Sequence, residues 1–197
     1  METFIHPTAI IDEAVTIGEG TKIWHFCHVS TGAVIGERCS LGQNVFVGRG
    51  VRIGAGCRIQ NNASIYEGVT LDEDVFCGPS MVFTNVRNPR AAYPVGGRYE
   101  ATQVERGVTF GANCTVVCGT RVGRYAFIAA GAVVNRDVPP FALMVGVPAR
   151  RIGWVGFRGQ RLQPVQGQSG TYQCPVSGEL FVEVEEGRLA PRDDIKW

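Results

Sequence analysis

The sequence predicts an all-β fold in which the chain winds into a parallel β-helix. Three observations predict it: an aliphatic or similar residue at every sixth position from Ile5 to Phe83, a second small or apolar residue four positions after each, and turn-forming residues between them. Because an α-helix completes a turn in about 3.6 residues, a period of six would scatter these side chains around its surface. In a short strand, residues two apart point to the same face, so the two columns form one buried face.

The corners of the coil are predicted three residues after each aliphatic position. Glycine, asparagine and aspartate recur there, and these residue types accept the positive φ of a tight turn. Each hexapeptide is therefore one short strand and one corner, and corners of the same sense wind the chain into a coil. The corner residues are Gly20, Gly32, Asn44, Gly50, Gly56, Asn62, Gly68, Asp74, Gly107, Asn113, Gly119, Gly131 and Asp137.

One long loop interrupts the coil. The aliphatic column stops at Phe83 and resumes at Val104, and the step between these positions is not a multiple of six. Residues 84–103 are therefore predicted to leave the coil and return to it. The loop carries two tyrosines and three arginines, and long loops on a rigid scaffold usually have a function.

The chain divides into two predicted parts. Residues 1–154 form the β-helix domain, and residues 155–197 form a C-terminal extension outside the repeat. The segments TYQCPVSG and LFVEVEEG of the extension alternate like two short strands. This alternation predicts a small β-hairpin that packs on the coil or on a neighbouring chain.

Composition excludes several classes of function. The 197 residues carry a formal net charge of +1 with no basic run, which argues against nucleic acid or an anionic membrane as a partner. A hydrophobic content of 45% argues against disorder, and no apolar stretch is long enough to cross a membrane. The first residues lack the basic region of a signal peptide, so a cytoplasmic location is expected.

The hexads IGEGTK, IGERCS, VGRGVR, IGAGCR and VGRYAF resemble those of the hexapeptide-repeat acyltransferases over roughly residues 5–150. This resemblance implies a left-handed β-helix and a homotrimer with sites between subunits. The segments IWHFCHV, IQNNASIYEGV, VFTNVRNPR and PFALMVGVPARRIGWV resemble more closely the bacterial UDP-2-acetamido-3-amino-2,3-dideoxy-D-glucuronate N-acetyltransferases of lipopolysaccharide O-antigen sugar biosynthesis. The closer resemblance implies acetyl-CoA as cosubstrate and the 3-amino group of a nucleotide-linked sugar as acceptor.

Stacking of the coils predicts a catalytic edge at the base of the loop. If one coil consists of three hexads, positions three hexads apart stack at the spacing of neighbouring strands, about 4.8 Å. Glu67 then lies beneath Asn85 and Tyr66 beneath Thr84. A carboxylate, a phenol and an amide therefore converge where the loop departs.

A second edge carries further polar candidates for the acceptor. Gln43 and Asn61 align there, with Asn62 beside them. Asn62 occupies a predicted corner, so a purely structural turn role remains its alternative. Arg90 of the loop is assigned to a sugar carboxylate or a diphosphate, because its fork matches either anion.

A strip with almost no side chains is predicted after the loop. Gly111 and Ala112 stack beneath Ala129 and Ala130, and Pro148 is expected in the next layer. Small residues allow a ligand to approach the backbone, and an extended pantetheine arm needs such a groove. Two arginines follow, which either contact the phosphates of coenzyme A or form a solvated surface pair; they are Arg150 and Arg151.

Two catalytic schemes remain open. Many members of the wider superfamily use a histidine as base, but the sequence has no histidine in the loop or next to Asn85. Glu67 would act as base if it were buried under Tyr66. In the favoured scheme, which the closer resemblance implies, the amine enters partly neutral and attacks without an enzymic base, while Asn85 positions it or stabilises the intermediate.

The cysteines are predicted to be core residues rather than ligands. Most occupy the inward columns, where a free cysteine packs as a small hydrophobe, whereas Cys118 falls on a corner and is expected to be exposed. Cys174 begins CPVSG, half of a zinc knuckle with Ser177 in place of the second ligand. One sulfur cannot hold a structural zinc, so no metal is predicted.

The alternatives differ in class. A dTDP-linked 3-amino sugar could replace the UDP-linked one, and an O-acetyltransferase would need a base that the sequence does not provide. A carbonic anhydrase would need three histidines to meet, and His6, His25 and His28 are poorly spaced for it. A non-enzymatic scaffold would need neither the loop nor the strip.

Overall fold

The computed structural model describes residues 2–192, which form short β-strands joined by tight corners and contain no helix that could cross a membrane. Fourteen strands precede the long loop: β1 (Phe4–Ile5), β2 (Ile10–Ile11), β3 (Thr16–Ile17), β4 (Lys22–Ile23), β5 (His28–Val29), β6 (Val34–Ile35), β7 (Ser40–Leu41), β8 (Phe46–Val47), β9 (Arg52–Ile53), β10 (Arg58–Ile59), β11 (Ser64–Ile65), β12 (Val69–Leu71), β13 (Phe76–Cys77) and β14 (Val82–Phe83).

Eight strands follow the loop before the coil ends: β15 (Thr102–Val104), β16 (Thr109–Phe110), β17 (Thr115–Val116), β18 (Arg121–Val122), β19 (Phe127–Ile128), β20 (Val133–Val134), β21 (Ala142–Val145) and β22 (Arg150–Trp154).

Every third strand pairs in parallel, so the chain winds around three sheets. The first sheet runs β1-β4-β7-β10-β13-β16-β19-β21-β22, the second β2-β5-β8-β11-β14-β17-β20, and the third β3-β6-β9-β12-β15-β18. Phe4 pairs with Lys22 and Ile5 with Ile23, so one coil consists of three hexads. This parallel solenoid of about eight turns confirms the predicted fold class, and it is consistent with a left-handed β-helix of hexapeptide repeats.

The three corners of the coil stack into three edges. The loop edge, between the second and third sheets, contains residues 12–15, 30–33, 48–51, 66–68, 84–101 and 117–120. The strip edge, between the first and second sheets, contains residues 24–27, 42–45, 60–63, 78–81, 111–114 and 129–132. The third edge joins the third sheet to the first and contains residues 18–21, 36–39, 54–57, 72–75, 105–108 and 123–126.

The two inward columns form the core. Leu41 and Ile59 of the aliphatic column and Ala63 of the small column are fully buried. Burial of one such aliphatic side chain contributes about 1.5–3 kcal/mol, and the repeat provides one in almost every hexad. Cysteines in these columns are buried and free, as predicted for core residues: Cys27, Cys39, Cys57, Cys77 and Cys114.

The corner position is set by the period more strictly than by the residue type. Positive φ occurs at every predicted corner except Asp137, but also at Phe26, Arg38 and Tyr125, each three residues after a buried aliphatic position. Side chains with a Cβ incur a steric cost there. Because the coil geometry requires the conformation at each corner, packing outweighs the preference of the individual residue.

The long loop leaves the coil after Phe83 and rejoins it at Thr102. Val69 of β12 pairs with Thr102 of β15, so this coil is longer than the others and contains the whole loop. The predicted boundary of residue 103 was two positions too late, because Thr102 and Gln103 already belong to β15. Residues 84–101 are called the arm below.

The last coil is shorter than the repeat predicts, which corrects one candidate residue. Phe127 pairs with Leu143, two positions short of three hexads, because Val138 bridges to Val122 after a shortened corner. The layer above Ala129 therefore begins with Val145. Pro148 therefore does not lie above Ala130. It lies in the turn that reverses the chain into the antiparallel strand β22, and that turn bonds Val133 through Gly146 and Ala149.

The C-terminal extension is a four-stranded antiparallel sheet rather than a single hairpin. Its strands are β23 (Gln163–Pro164), β24 (Thr171–Gln173), β25 (Leu180–Glu185) and β26 (Arg188–Pro191). The predicted hairpin is the central pair, β24 and β25. Phe181 is fully buried and its ring centroid lies 5.3 Å from that of Phe141 and 5.4 Å from that of Phe157. The extension therefore covers the end of the coil's core.

Candidate active site

The loop edge contains an open cavity at the base of the arm. Its volume is about 310 Å³, and Tyr66, Glu67 and Asn85 line it together, as the column arithmetic predicts. The Asn85 side-chain amide donates a hydrogen bond of 3.3 Å to the backbone carbonyl of Glu67. Glu67 is half-buried and Tyr66 is 39% exposed, so the phenol does not enclose the carboxylate in the way that the general-base scheme requires.

Hydrogen bonds to later parts of the chain fix the position of Asn85. The Glu100 N–H donates to the Asn85 carbonyl at 3.0 Å, and the Thr84 hydroxyl accepts from the Cys118 N–H at 3.0 Å. Thr84, expected to contact substrate, therefore has a structural bond to the next coil. Cys118 was expected to be exposed and is fully buried, because residues 84–87 and Glu100 cover this corner.

Seven of the residues that line the cavity were not among the candidates from the sequence, and three of them have large side chains. Phe46 and Arg49 come from the coil beneath Tyr66, and Tyr99 comes from the returning part of the arm. The column of stacked corners through Asn85 also passes through Arg49, so the repeat itself could have indicated Arg49 as a cavity residue. Arg90, by contrast, is exposed on the arm and does not line the cavity, so the arginine of this cavity is Arg49.

The strip edge has a second, separate group of polar residues. Gln43 and Asn61 line a shallow cavity of about 280 Å³ with Trp24 and His25. Asn62 has a φ of 63° and accepts a hydrogen bond from the Asn44 side chain, which favours its structural alternative. Within one chain these residues are not brought together with Asn85, because the whole second sheet lies between the two edges.

The strip of small residues lies higher on the same edge. A Cβ on Gly111 would overlap the Ala130 nitrogen, so the two layers touch through their backbones. Lower on this edge, the Asn61 side chain accepts the Gln43 N–H at 2.9 Å. Within residues 2–192, the N–H groups of Ala112 and Ala130 donate no such bond, because no polar side chain follows in the layer above. The strip therefore offers donors to a ligand.

The two arginines beyond the strip differ in their surroundings. Both lie on β22 and are exposed. The Arg151 guanidinium carbon lies 4.0 Å from the centroid of the Trp154 ring, a cation–π contact that occupies its planar group. The Arg150 guanidinium donates to the Ala149 carbonyl at 3.0 Å. Since consecutive residues of a strand point to opposite sides, these two side chains do not converge on one phosphate.

None of the three histidines approaches Asn85 within one chain. His28 Nε2 lies 3.2 Å from the Asp12 carboxylate, but its strand lies three coils below β14, a distance of about 14 Å. The rings of His6 and His25 stack with centroids 3.6 Å apart, and desolvation together with the neighbouring His25 lowers the pKa of His6. Among the described residues, no three or more His, Cys, Asp or Glu side chains form a group that could hold a metal ion.

Comparison with known proteins supports the repeat. Two family models match: "Bacterial transferase hexapeptide (six repeats)" over residues 14–49 and "Hexapeptide repeat of succinyl-transferase" over residues 102–136. A dTDP-3-amino-3,6-dideoxy-α-D-galactopyranose 3-N-acetyltransferase from Aneurinibacillus thermoaerophilus is 43% identical over 171 residues, which are 87% of this chain and 88% of that enzyme. The chain belongs to the hexapeptide-repeat acetyltransferase family. The predicted family is thereby confirmed.

Two further proteins are similar to this acetyltransferase over different shares of the chain. A hexapeptide-repeat acetyltransferase from Vibrio cholerae, solved with acetyl coenzyme A, superposes with a TM-score of 0.55 and 27% identity, covering 62% of this chain and 70% of that one. An acyl-[acyl-carrier-protein]–UDP-N-acetylglucosamine O-acyltransferase from Brucella ovis is 50% identical over 44 residues, only 22% of this chain and 16% of that enzyme. The second likeness is therefore confined to a few hexads.

Proposed function

We propose that this acetyltransferase moves the acetyl group of acetyl-CoA to the 3-amino group of a nucleotide-linked amino sugar. One observation carries the reaction class: the 43% identity, over most of both chains, to an enzyme named for 3-N-acetylation of a dTDP-linked sugar. The cavity supports it, because no histidine is among the described residues that line it, and the Glu67 carboxylate beside Asn85 is not enclosed by Tyr66. An amine needs no enzymic base once it is neutral, whereas a hydroxyl does.

A dTDP-linked 3-amino-6-deoxy sugar is the first candidate acceptor. The relative that is 43% identical over 87% of this chain is named for acetylation of a sugar of this class. The second candidate is UDP-2-acetamido-3-amino-2,3-dideoxy-D-glucuronate, an intermediate of O-antigen synthesis. Arg49 favours this second candidate. It lines the cavity, and a guanidinium matches the geometry of a sugar carboxylate, which a 6-deoxy sugar lacks.

In the proposed mechanism the neutral amine attacks the thioester carbonyl carbon. The carbon–sulfur bond then breaks, and the thiolate of coenzyme A takes the proton that the amine loses. Asn85 holds the amine or the tetrahedral intermediate through its side-chain amide. The Ala112 and Ala130 N–H groups bind the cosubstrate along the strip, where N–H donors stabilise a developing oxyanion. Arg150 is the better placed of the two arginines to contact a phosphate, because the Arg151 guanidinium is stacked on the Trp154 ring.

A homotrimer would complete this site. The cavity with Asn85 and the strip with Ala130 lie on different edges of one chain, so acceptor and cosubstrate would meet only where a neighbouring chain brings its strip against the arm. Exposed apolar residues on the outer face of the second sheet support such an association: Ile10 is 61% exposed and Val82 is 43% exposed.

The test incubates the protein with acetyl-CoA and a panel of nucleotide-linked sugars and follows the release of thiol. We expect release with 3-amino sugars and none with their 3-hydroxyl counterparts. Release only with hydroxyl acceptors would establish an O-acetyltransferase instead, and no release with any sugar would favour a scaffold. Arg49→Gln decides between the two amino sugars: it should weaken use of the glucuronate and leave a 6-deoxy sugar unaffected.

Replacing Glu67 with glutamine should mainly weaken binding of the sugar. The variant keeps the shape of the side chain and removes one charged acceptor, so we expect KM for the sugar to rise about 10-fold with kcat nearly unchanged. Steady-state kinetics across the pH range separates the two constants. If kcat disappeared at every pH while the sugar still bound, Glu67 would be the general base and the base-free scheme would be wrong.

A further inference from the structure

The base of the arm is held closed by a clasp of three groups. Arg87, on the outgoing part of the arm, donates from Nε to the Glu100 carboxylate at 3.0 Å, so the outgoing and returning parts are joined. Its Nη2 donates to the backbone carbonyl of Cys118 at 2.7 Å, which ties both parts to the next coil. One guanidinium therefore contacts two other segments of the chain and holds them to its own.

Gly119 provides the space in which the clasp sits. A Cβ on Gly119 would lie 2.6 Å from Arg87 Nη2 and 2.6 Å from Glu100 Oε2. The glycine at the same corner of an earlier coil has no such role: Gly32, on the loop edge with a φ of 72° against 77° for Gly119, would have no described atom within 4 Å of an added Cβ. A methyl group at position 119 would therefore displace the ends of the Arg87 and Glu100 side chains from their present contacts.

The ion pair itself contributes little to stability. The Arg87 and Glu100 side chains are each 43% exposed, and exposed pairs contribute about 0–1 kcal/mol. What the clasp provides is geometry, because a planar guanidinium can bond a carboxylate and a carbonyl in fixed directions and a lysine cannot. The geometry of the clasp bears on the candidate site because Asn85 lies two residues before Arg87. The Glu100 N–H also bonds the Asn85 carbonyl.

We propose that Arg87 is a positioning residue that acts through Asn85. The clasp fixes the path of residues 84–87 between Glu100 and Cys118, and that path sets where the Asn85 amide meets the acceptor amine. The inference rests on the proposed function, because it assigns Arg87 a part in the same acetyl transfer. Arg87 itself bonds other protein groups and has no role in contact with the reacting atoms.

A double-mutant cycle between Arg87→Ala and Asn85→Ala tests the proposal. In the otherwise unchanged enzyme, we expect Arg87→Ala to lower kcat about 10-fold or more, since small misplacements of a reacting group have effects of this size. In the Asn85→Ala background, the same substitution should change kcat by less than about 2-fold, because the group it positions is gone. KM for acetyl-CoA should be unchanged, since Arg87 bonds Glu100 and the Cys118 carbonyl of its own chain and contacts none of the donors assigned to the cosubstrate.

The outcomes separate the clasp from the proposed function. If Asn85→Ala lowers kcat and Arg87→Ala multiplies that loss, Arg87 acts independently of Asn85 and the positioning role is overturned. If Asn85→Ala leaves kcat unchanged, the proposed role of Asn85 is wrong and the clasp proposal falls with it. Thermal unfolding of each variant identifies a loss caused by misfolding, which would lower the amount of active enzyme without changing the ratio between backgrounds.

Gly119→Ala disturbs the clasp while keeping both of its charges. We expect a loss of kcat similar to that of Arg87→Ala, and Gly32→Ala, which introduces the same methyl group at a similar φ in open space, should keep full kcat. Arg98→Ala is the matched arginine control, because among the described residues Arg98 bonds only the Val95 carbonyl within the arm. Arg87→Lys should not restore kcat. Full kcat in Gly119→Ala, or rescue by lysine, would overturn the proposal.

Discussion

Replacing Asn85 with alanine should lower kcat by about 100-fold or more, the effect of removing one donor that stabilises a developing oxyanion. The reason is geometric. The Asn85 amide is held by the Glu67 carbonyl beneath it and its backbone by the Glu100 N–H, so the group is already fixed before substrate binds. Alanine removes the donor and leaves no other side-chain amide among the described residues that line the cavity.

Steady-state kinetics with both substrates measures this effect. KM for acetyl-CoA should stay near the wild-type value, because the strip edge is untouched. Asn88→Ala is the matched control: it removes an exposed amide from the same arm and should keep wild-type kcat. An Asn85→Ala enzyme with unchanged kcat would remove Asn85 from the mechanism.

The pH profile of the same variant distinguishes the two catalytic schemes. An asparagine amide does not titrate in the working range, so its loss should lower the rate by the same factor at each pH. The rise of kcat/KM with pH would then belong to the sugar amine and should persist in Asn85→Ala. A profile that lost its pH dependence would indicate an enzymic base that acts together with Asn85.

The regular part of the fold could be predicted because each hexad repeats the same arrangement of residues. A buried aliphatic residue, a small residue and a corner recur, and the register that pairs Phe4 with Lys22 follows from them. The last coil could not be predicted in this way. Its corner before Val138 is shorter, and no periodic signal marks where a repeat loses two positions, so the prediction that Pro148 lies above Ala130 was wrong by two positions.

The same contrast between regular and irregular parts of the chain applies to the candidate site. Glu67 and Asn85 could be brought together by counting, since both lie on coils of known register. The course of the arm could not be counted, because residues 84–101 follow no repeat. Their path depends on individual contacts such as that of Arg87 with Cys118. For this reason the candidates from the sequence included Arg90 and not Arg49, and nothing in the sequence indicated the clasp.

Ala130→Trp should raise KM for acetyl-CoA by about 100-fold, a loss equivalent to two hydrogen bonds between backbone donors and a ligand. The indole would cover the Ala130 N–H and the neighbouring Ala112 N–H, the donors that the proposal assigns to the cosubstrate. Ala130 is exposed, so the free energy of unfolding should change by no more than about 0.5 kcal/mol. KM for the sugar should be unchanged.

Ala55→Trp is the control that separates loss of the strip from a general effect of a bulky corner. Ala55 precedes the positive-φ Gly56 on the third edge as Ala130 precedes the positive-φ Gly131 on the strip edge, so the two positions share their place in the hexad. Analytical ultracentrifugation of both variants shows whether either changes the association of chains. If Ala130→Trp kept wild-type KM for acetyl-CoA in an unchanged oligomer, the thioester would bind elsewhere, and the small residues of this edge would serve only to let the coils approach each other.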